Sequence, residues 1–267
     1  AANYSVSRIS GLVGYMLAGG VIALIGAVGA LWIDAATFLI SSAIIWSIRY
    51  KENLQGAKQT VKGVIQDFAE GFRFIRASRT IQTVSLIGLL INFGIMPLTV
   101  FQTPYVSDYL KMGPETLSYI KILTSVGMIT GSALLPKLGK IKTPVIAVAA
   151  GVIMGAALIE MSIAQSLSTP VLKMGILTLS MLSIGFGGGL LNVVIGSSVM
   201  KAVPKEMMGR ISGFLTAMMQ ASMPVASFIC SALAVYFHIP HILVFFGSLT
   251  LICSLALYFR KKLDALS

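Results

Sequence analysis

The 267 residues are 56% hydrophobic and only 11% charged, with a mean hydropathy of +0.90. A soluble domain carries about a quarter charged residues, so this composition excludes a soluble globular enzyme and a disordered tail. The apolar residues run through nearly the whole length, which also excludes a chain with one or two anchors. The net charge of +11 is therefore to be read loop by loop rather than as a nucleic-acid footprint.

At about 20 residues per span, breaks at charged, Gly and Pro clusters predict eight membrane helices. They fall near residues 9–27, 31–49, 82–104, 116–136, 143–163, 170–199, 210–236 and 240–260. The fold class is an all-α polytopic membrane protein. The links are short except for the charged stretch between the second and third spans. There Val61, Ile65, Phe68, Phe72 and Ile75 recur at helical spacing among Lys58, Lys62, Arg73 and Arg76. That pattern predicts a basic amphipathic helix on the inner leaflet, read most simply as a connector between two bundles.

Seventeen of the 20 Lys and Arg fall on one side of this topology, among them Arg8, Lys137, Lys140, Lys142, Lys201, Lys205 and Arg210. The other side has Lys111 and Lys173, and Lys121 lies inside a span. Basic loops face the cytoplasm, so both termini of the chain are expected inside, which fits an even number of spans. Trp32, Tyr105, Tyr109, Tyr119 and Tyr236 at outer span ends, and Trp46, Tyr50 and Tyr258 at inner ends, read as interfacial belts. Cys230 and Cys253 lie in apolar runs, so no disulfide framework, metal site or catalytic constellation is expected.

Arg8-Ile9-Ser10-Gly11 recurs as Arg210-Ile211-Ser212-Gly213, each at the inner start of a span. Parallel six-helix repeats relate the two halves of major facilitator transporters. Gly131 to Lys142, with Pro136, Lys137, Gly139 and Lys140 between, resembles that family's cytoplasmic loop motif as it stands between helices eight and nine. Gly139 would permit a tight inner turn. Val203-Pro204-Lys205-Glu206-Met207-Met208-Gly209-Arg210-Ile211 resembles the loop between helices ten and eleven in the macrolide-efflux and siderophore-export branch, with Met208 where a basic residue is usual. Ile33-Asp34-Ala35-Ala36-Thr37-Phe38-Leu39 and Glu70-Gly71-Phe72-Arg73-Phe74-Ile75 resemble its helix-six opening and its approach to helix seven. Gly11, Gly19 and Gly20 match the glycines of the helix-five antiporter motif, but Tyr15 and Met16 replace its Gly-Pro pair.

The resemblance implies a major facilitator-type helical bundle with about eight of twelve helices present. Residues 1–50 would be the last two helices of the N-terminal bundle, 51–81 a cytoplasmic linker, and 82–267 a six-helix C-terminal bundle. It implies a monomeric, proton-gradient-driven exporter of amphiphilic small molecules in the cell membrane, with no cofactor. The repeat and the loop motifs align these eight spans with helices five to twelve, so helices one to four are expected to precede them, and the start at Ala1 agrees. On that reading residues 1–267 alone do not transport. The alternatives are uptake, lipid translocation on the same fold, or a non-transporting membrane protein.

Candidate site residues follow from polar groups inside spans. Asn92, Asn192 and Gln220 are amides that need a partner in hydrocarbon, either across a helix interface or in a wet cavity. Met96, Met219 and Phe186 would add a soft apolar wall. Lys121 either snorkels outward or meets substrate charge. Glu160 either sits at the interface or pairs with Lys121, and Asp34 either caps its helix or binds a proton. The cluster Gly185, Gly187, Gly188 and Gly189 reads as a close helix crossing or a flexible point.

Overall fold

The computed structural model describes residue 25 and residues 28–47, 61–138, 141–204 and 207–264. Among them it is all helical. The helices are α1 (Val28–Ser47), α2 (Val61–Ala77), α3 (Arg79–Pro104), α4 (Glu115–Leu134), α5 (Thr143–Ala164), α6 (Pro170–Ala202), α7 (Met208–Ala234) and α8 (Ile239–Asp264). All but α2 are long and apolar enough to cross a membrane. The predicted first span, the motif glycines Gly11, Gly19 and Gly20, and Gly139 and Lys140 lie outside the described residues.

Several ends differ from the sequence expectation for identifiable reasons. Pro104 has no N–H to donate, yet α3 does not stop there. It widens into a π-helical turn over Tyr105–Tyr109, closed by Leu110 N donating to Tyr105 O at 3.0 Å and Met112 N to Val106 O at 3.1 Å. Lys111 then takes φ 58°, the left-handed conformation that ends many helices and is usually given to glycine. The sixth span is longer than predicted. Its 33 residues rise about 50 Å against a hydrocarbon core of roughly 30 Å, so α6 tilts or projects beyond it. Asp34 does not cap α1, because the helix already runs from Val28.

Side-chain meetings fix the register of α3 to α8. Gly127 and Gly185 meet, as do Gly131 and Phe186, so α4 and α6 run parallel. Gly155 meets Gly247 and Gly151 meets Ser254, so α5 and α8 run antiparallel. Tyr105 on α3 hydrogen-bonds Met161 on α5. One large core joins α3, α4, α5, α6 and α8, with Cys230 from α7. A smaller one of Ile75, Ile81, Val199, Val203, Ile211 and Leu215 gathers the C-terminal ends of α2 and α6 with the N-terminal ends of α3 and α7. One face of the linker helix is therefore docked on the bundle.

The glycines on α4 and α6 carry the closest approach. A Cβ at Gly127, Gly131, Gly185 or Gly189 would run into backbone of the other helix. In lipid, helix association rests on packing and hydrogen bonds because tails are as apolar as side chains. Small residues let the backbones touch, and Ser132 Oγ, which donates to Met128 O of its own helix at 2.7 Å, also reaches Gly189 O across this seam at 3.4 Å.

Candidate functional site

Gly88 on α3 faces Ile195 of α6 and Met219 of α7, so three helices converge there. Asn92 and Met96 stand one and two turns further along the same face of α3. Asn192 is about one turn before Ile195 on the oppositely running α6, at the same depth as Asn92. Its Nδ2 donates to Gly188 O of its own helix at 2.8 Å, and the residue is exposed. Gln220 is exposed beside Met219. Gly88, Ile195 and Met219 thus form one junction; Asn92 and Asn192 stand about one turn from it, Gln220 follows Met219 in the chain, and Met96 packs against the large core.

The remaining candidates lie elsewhere. Phe186 is half-buried in the α4–α6 crossing. Lys121 is exposed on α4, about 16 Å along that helix from Ser132, which is level with Gly189. Lys121 and Asn192 are therefore at different depths. Glu160 on α5 is half-buried, and Ser180 Oγ of α6 donates to its Oε2 at 3.3 Å. That serine, rather than Lys121, is its partner. Thr37 Oγ1 donates to Asp34 O at 2.7 Å within α1, and Asp34 is exposed. In the loop motif, Gly131 belongs to the helix crossing, Leu135–Leu138 form a 3-10 turn, and Lys142 is the N-cap residue of α5. Pro136 and Lys142 are exposed.

The outward faces differ in chemistry. On α8 the exposed residues Val244, Phe245, Ile252, Leu255 and Phe259 suit lipid. On α7 the exposed stripe is Gly213, Thr216, Ala217, Gln220, Ala221 and Pro224, small residues with two polar side chains among them, and it turns bulky and apolar at Val225 and Phe228. Beside it on α6 lie exposed Asn192 and Gly196. A stripe of small residues that carries the amides of Asn192 and Gln220 makes a poor lipid face, since hydrocarbon leaves amide groups unsatisfied. It fits a water-filled cavity or a second protein surface. A separate surface cleft of about 580 Å³ opens at the other end of α4 and α6, lined by Met112, Glu115, Tyr119, Pro170 and Met174 among others. None of the candidate cavity residues lines it.

The sequence reading missed two features. Tyr105 is not a belt residue. It is 2% exposed, and its hydroxyl donates to Met161 O; Pro104 beside it was the only warning that the backbone geometry changes here. Tyr109 is likewise engaged, its hydroxyl accepting from Ile239 N at 3.4 Å and meeting His238 Nδ1 at 3.4 Å. Gln102, next to this turn, is a buried amide whose Nε2 has no hydrogen-bond partner. Trp32, Trp46 and Tyr236 are exposed, as a belt requires.

The family model for the Major Facilitator Superfamily matches residues 1–227. No individual curated protein matches the chain. The match runs from the first residue into α7 and covers most of the helices just described, including the α3–α6–α7 junction. Its proteins are transporters, and a chain with seven span-length apolar helices among its described residues is a multi-pass membrane protein. The chain belongs to the major facilitator superfamily of membrane transporters.

Proposed function

We propose that the protein carrying this chain exports amphiphilic small molecules, of drug or siderophore type, by alternating access coupled to protons. The observation that carries this reading is the stripe of small residues on α7 and α6 with Asn192 and Gln220 exposed on it, beside the junction where Gly88 meets Ile195 and Met219. Such a stripe is costly against lipid and useful in a cavity between two rocking bundles. In this reading residues 1–50 complete the other bundle and 51–81 link the two.

Asn92, Asn192 and Gln220 orient the polar part of the substrate by hydrogen bonds. Met96 and Met219 contact its apolar body, where flexible thioethers adapt to varied shapes, while Phe186 stays in the α4–α6 crossing. Lys121, at a different depth, sets a charge preference along the path rather than at the junction itself. Glu160 and Asp34 are the acids available for proton exchange. The basic loops, with Lys137, Lys140 and Lys142, keep their side of the bundle cytoplasmic.

The test is efflux from cells or energised vesicles containing the protein that carries this chain. Asn92→Ala with Asn192→Ala should abolish export while leaving the protein in the membrane. Wild-type efflux from that double variant would overturn the cavity assignment. Accumulation instead of export in vesicles of defined orientation would reverse the direction proposed.

A further inference from the structure

Helix α2 has two faces with different fates. Gly71, Phe74 and Ile75 turn inward: Gly71 lies under the Phe214 ring, and Ile75 joins the small core. Glu70 Oε2 and Arg210 Nη1 approach to 3.3 Å at the edge of this contact. On the opposite face Ala69, Phe72, Arg73 and Arg76 are exposed, Phe72 by 57%. The apolar spacing in the sequence puts Phe72 and Ile75 on one stripe. Docking splits that stripe and leaves the phenylalanine outside, beside two arginines.

Three observations say what covers this face. First, its charge is of one sign, and neither guanidinium is paired with an acid among the described residues. Second, its depth is that of headgroups: α2 ends at Ala77, Ser78 accepts from Ile81 N at 3.5 Å as the cap of α3, and the apolar span starts at Ile81. Third, its size is small. A few side chains cover far less than the roughly 800 Å² per partner of a stable protein interface, but they suffice for an amphipathic helix at a membrane surface.

We infer that Phe72, Arg73 and Arg76 form a binding surface for anionic phospholipid headgroups. The two guanidinium forks take phosphate oxygens by paired, charge-assisted hydrogen bonds. The Phe72 ring enters the boundary between headgroups and acyl chains. Lipid then holds α2 from one side while α7 holds it from the other. The anionic lipid content of the leaflet thereby sets how firmly the linker is fixed to the bundle.

The experiment places an environment-sensitive fluorophore at Phe72→Cys, with Cys230→Ala and Cys253→Ala, in the chain reconstituted into vesicles. Vesicles of phosphatidylcholine alone are compared with vesicles containing phosphatidylglycerol in both leaflets. The expected result is a blue-shifted emission that needs phosphatidylglycerol and is reversed by high salt. Arg73→Gln with Arg76→Gln should weaken the phosphatidylglycerol dependence by on the order of 30-fold, from the contribution of two basic residues near an anionic surface. A second measurement avoids the labelled variant: the unlabelled double Arg→Gln chain should retain less phosphatidylglycerol than the parent through purification. Emission that is the same in both vesicle types, or lipid retention unchanged by the double substitution, would overturn the inference. So would a fluorophore that stays in water in both, which would point to a protein partner.

Discussion

Replacing Gly131 by alanine should push α4 and α6 apart. A methyl at this position would stand 3.0 Å from the carbonyl carbon of Phe186 and 3.1 Å from its Cα, with the carbonyl oxygen closer still. These are backbone atoms, so no rotamer change relieves the clash. Relief requires the helices to separate by several tenths of an ångström up to about 1 Å, a gap that forfeits a quarter to a half of each dispersion contact along the seam. Gly127, Gly185 and Gly189 are held equally close to backbone, so their contacts weaken together. Overpacking of this kind costs about 1–3 kcal/mol. The control is Gly196→Ala on α6, where a Cβ meets nothing within 4 Å. Both substitutions gain the same intrinsic helix propensity, about 1 kcal/mol, so only packing separates them. Unfolding of the purified chain in detergent, followed by helicity, should show Gly131→Ala less stable than the parent and Gly196→Ala equal or more stable. Indistinguishable midpoints for the two variants would refute the crossing.

Three further changes probe other parts of the fold by the same unfolding assay. Tyr105→Phe removes the buried donor to Met161 O and should cost about 1–2 kcal/mol; no change would return Tyr105 to the membrane interface. Glu70→Gln breaks a half-exposed ion pair and should cost no more than about 1 kcal/mol, whereas Phe214→Ala, which uncovers Gly71 and the small core, should cost more; the reverse order would show that charge rather than packing docks α2. Lys111→Gly relieves a left-handed backbone position and should stabilise by up to about 1 kcal/mol, so a clear destabilisation would mean the lysine side chain has a structural role.

Most of the architecture was legible in the sequence because hydrocarbon leaves few choices: a long apolar run must be a helix, and its ends are set by charges and caps. The predicted span 143–163 differs from α5 by one residue at its C-terminal end. Legibility failed where the structure depends on partners distant in the chain. Tyr105 looks like any aromatic at a span end until Met161, 56 residues on, takes its hydroxyl. The amphipathic pattern of 61–75 gave the helix but not its rotation, because Phe214 and Ile211 on α7 select Gly71 and Ile75 as the docked face. The glycines 185 to 189 read as a crossing or a hinge, and only the opposing Gly127 and Gly131 made the crossing visible. Asn92 and Asn192 could be named as amides in spans, but their common depth follows from Gly88 meeting Ile195 and Met219.

The central claim is that the α6–α7 stripe faces a water-filled cavity while the α8 face meets lipid. Single cysteines report this directly in membranes of the protein that carries this chain, with Cys230 and Cys253 replaced by alanine. A membrane-impermeant, water-soluble thiol reagent applied to both sides should modify cysteine at positions 192 and 220 rapidly. The same reagent should leave cysteine at positions 245 and 252 untouched. Equal protection of all four positions, or modification of 245 and 252 in preference to 192 and 220, would contradict the account.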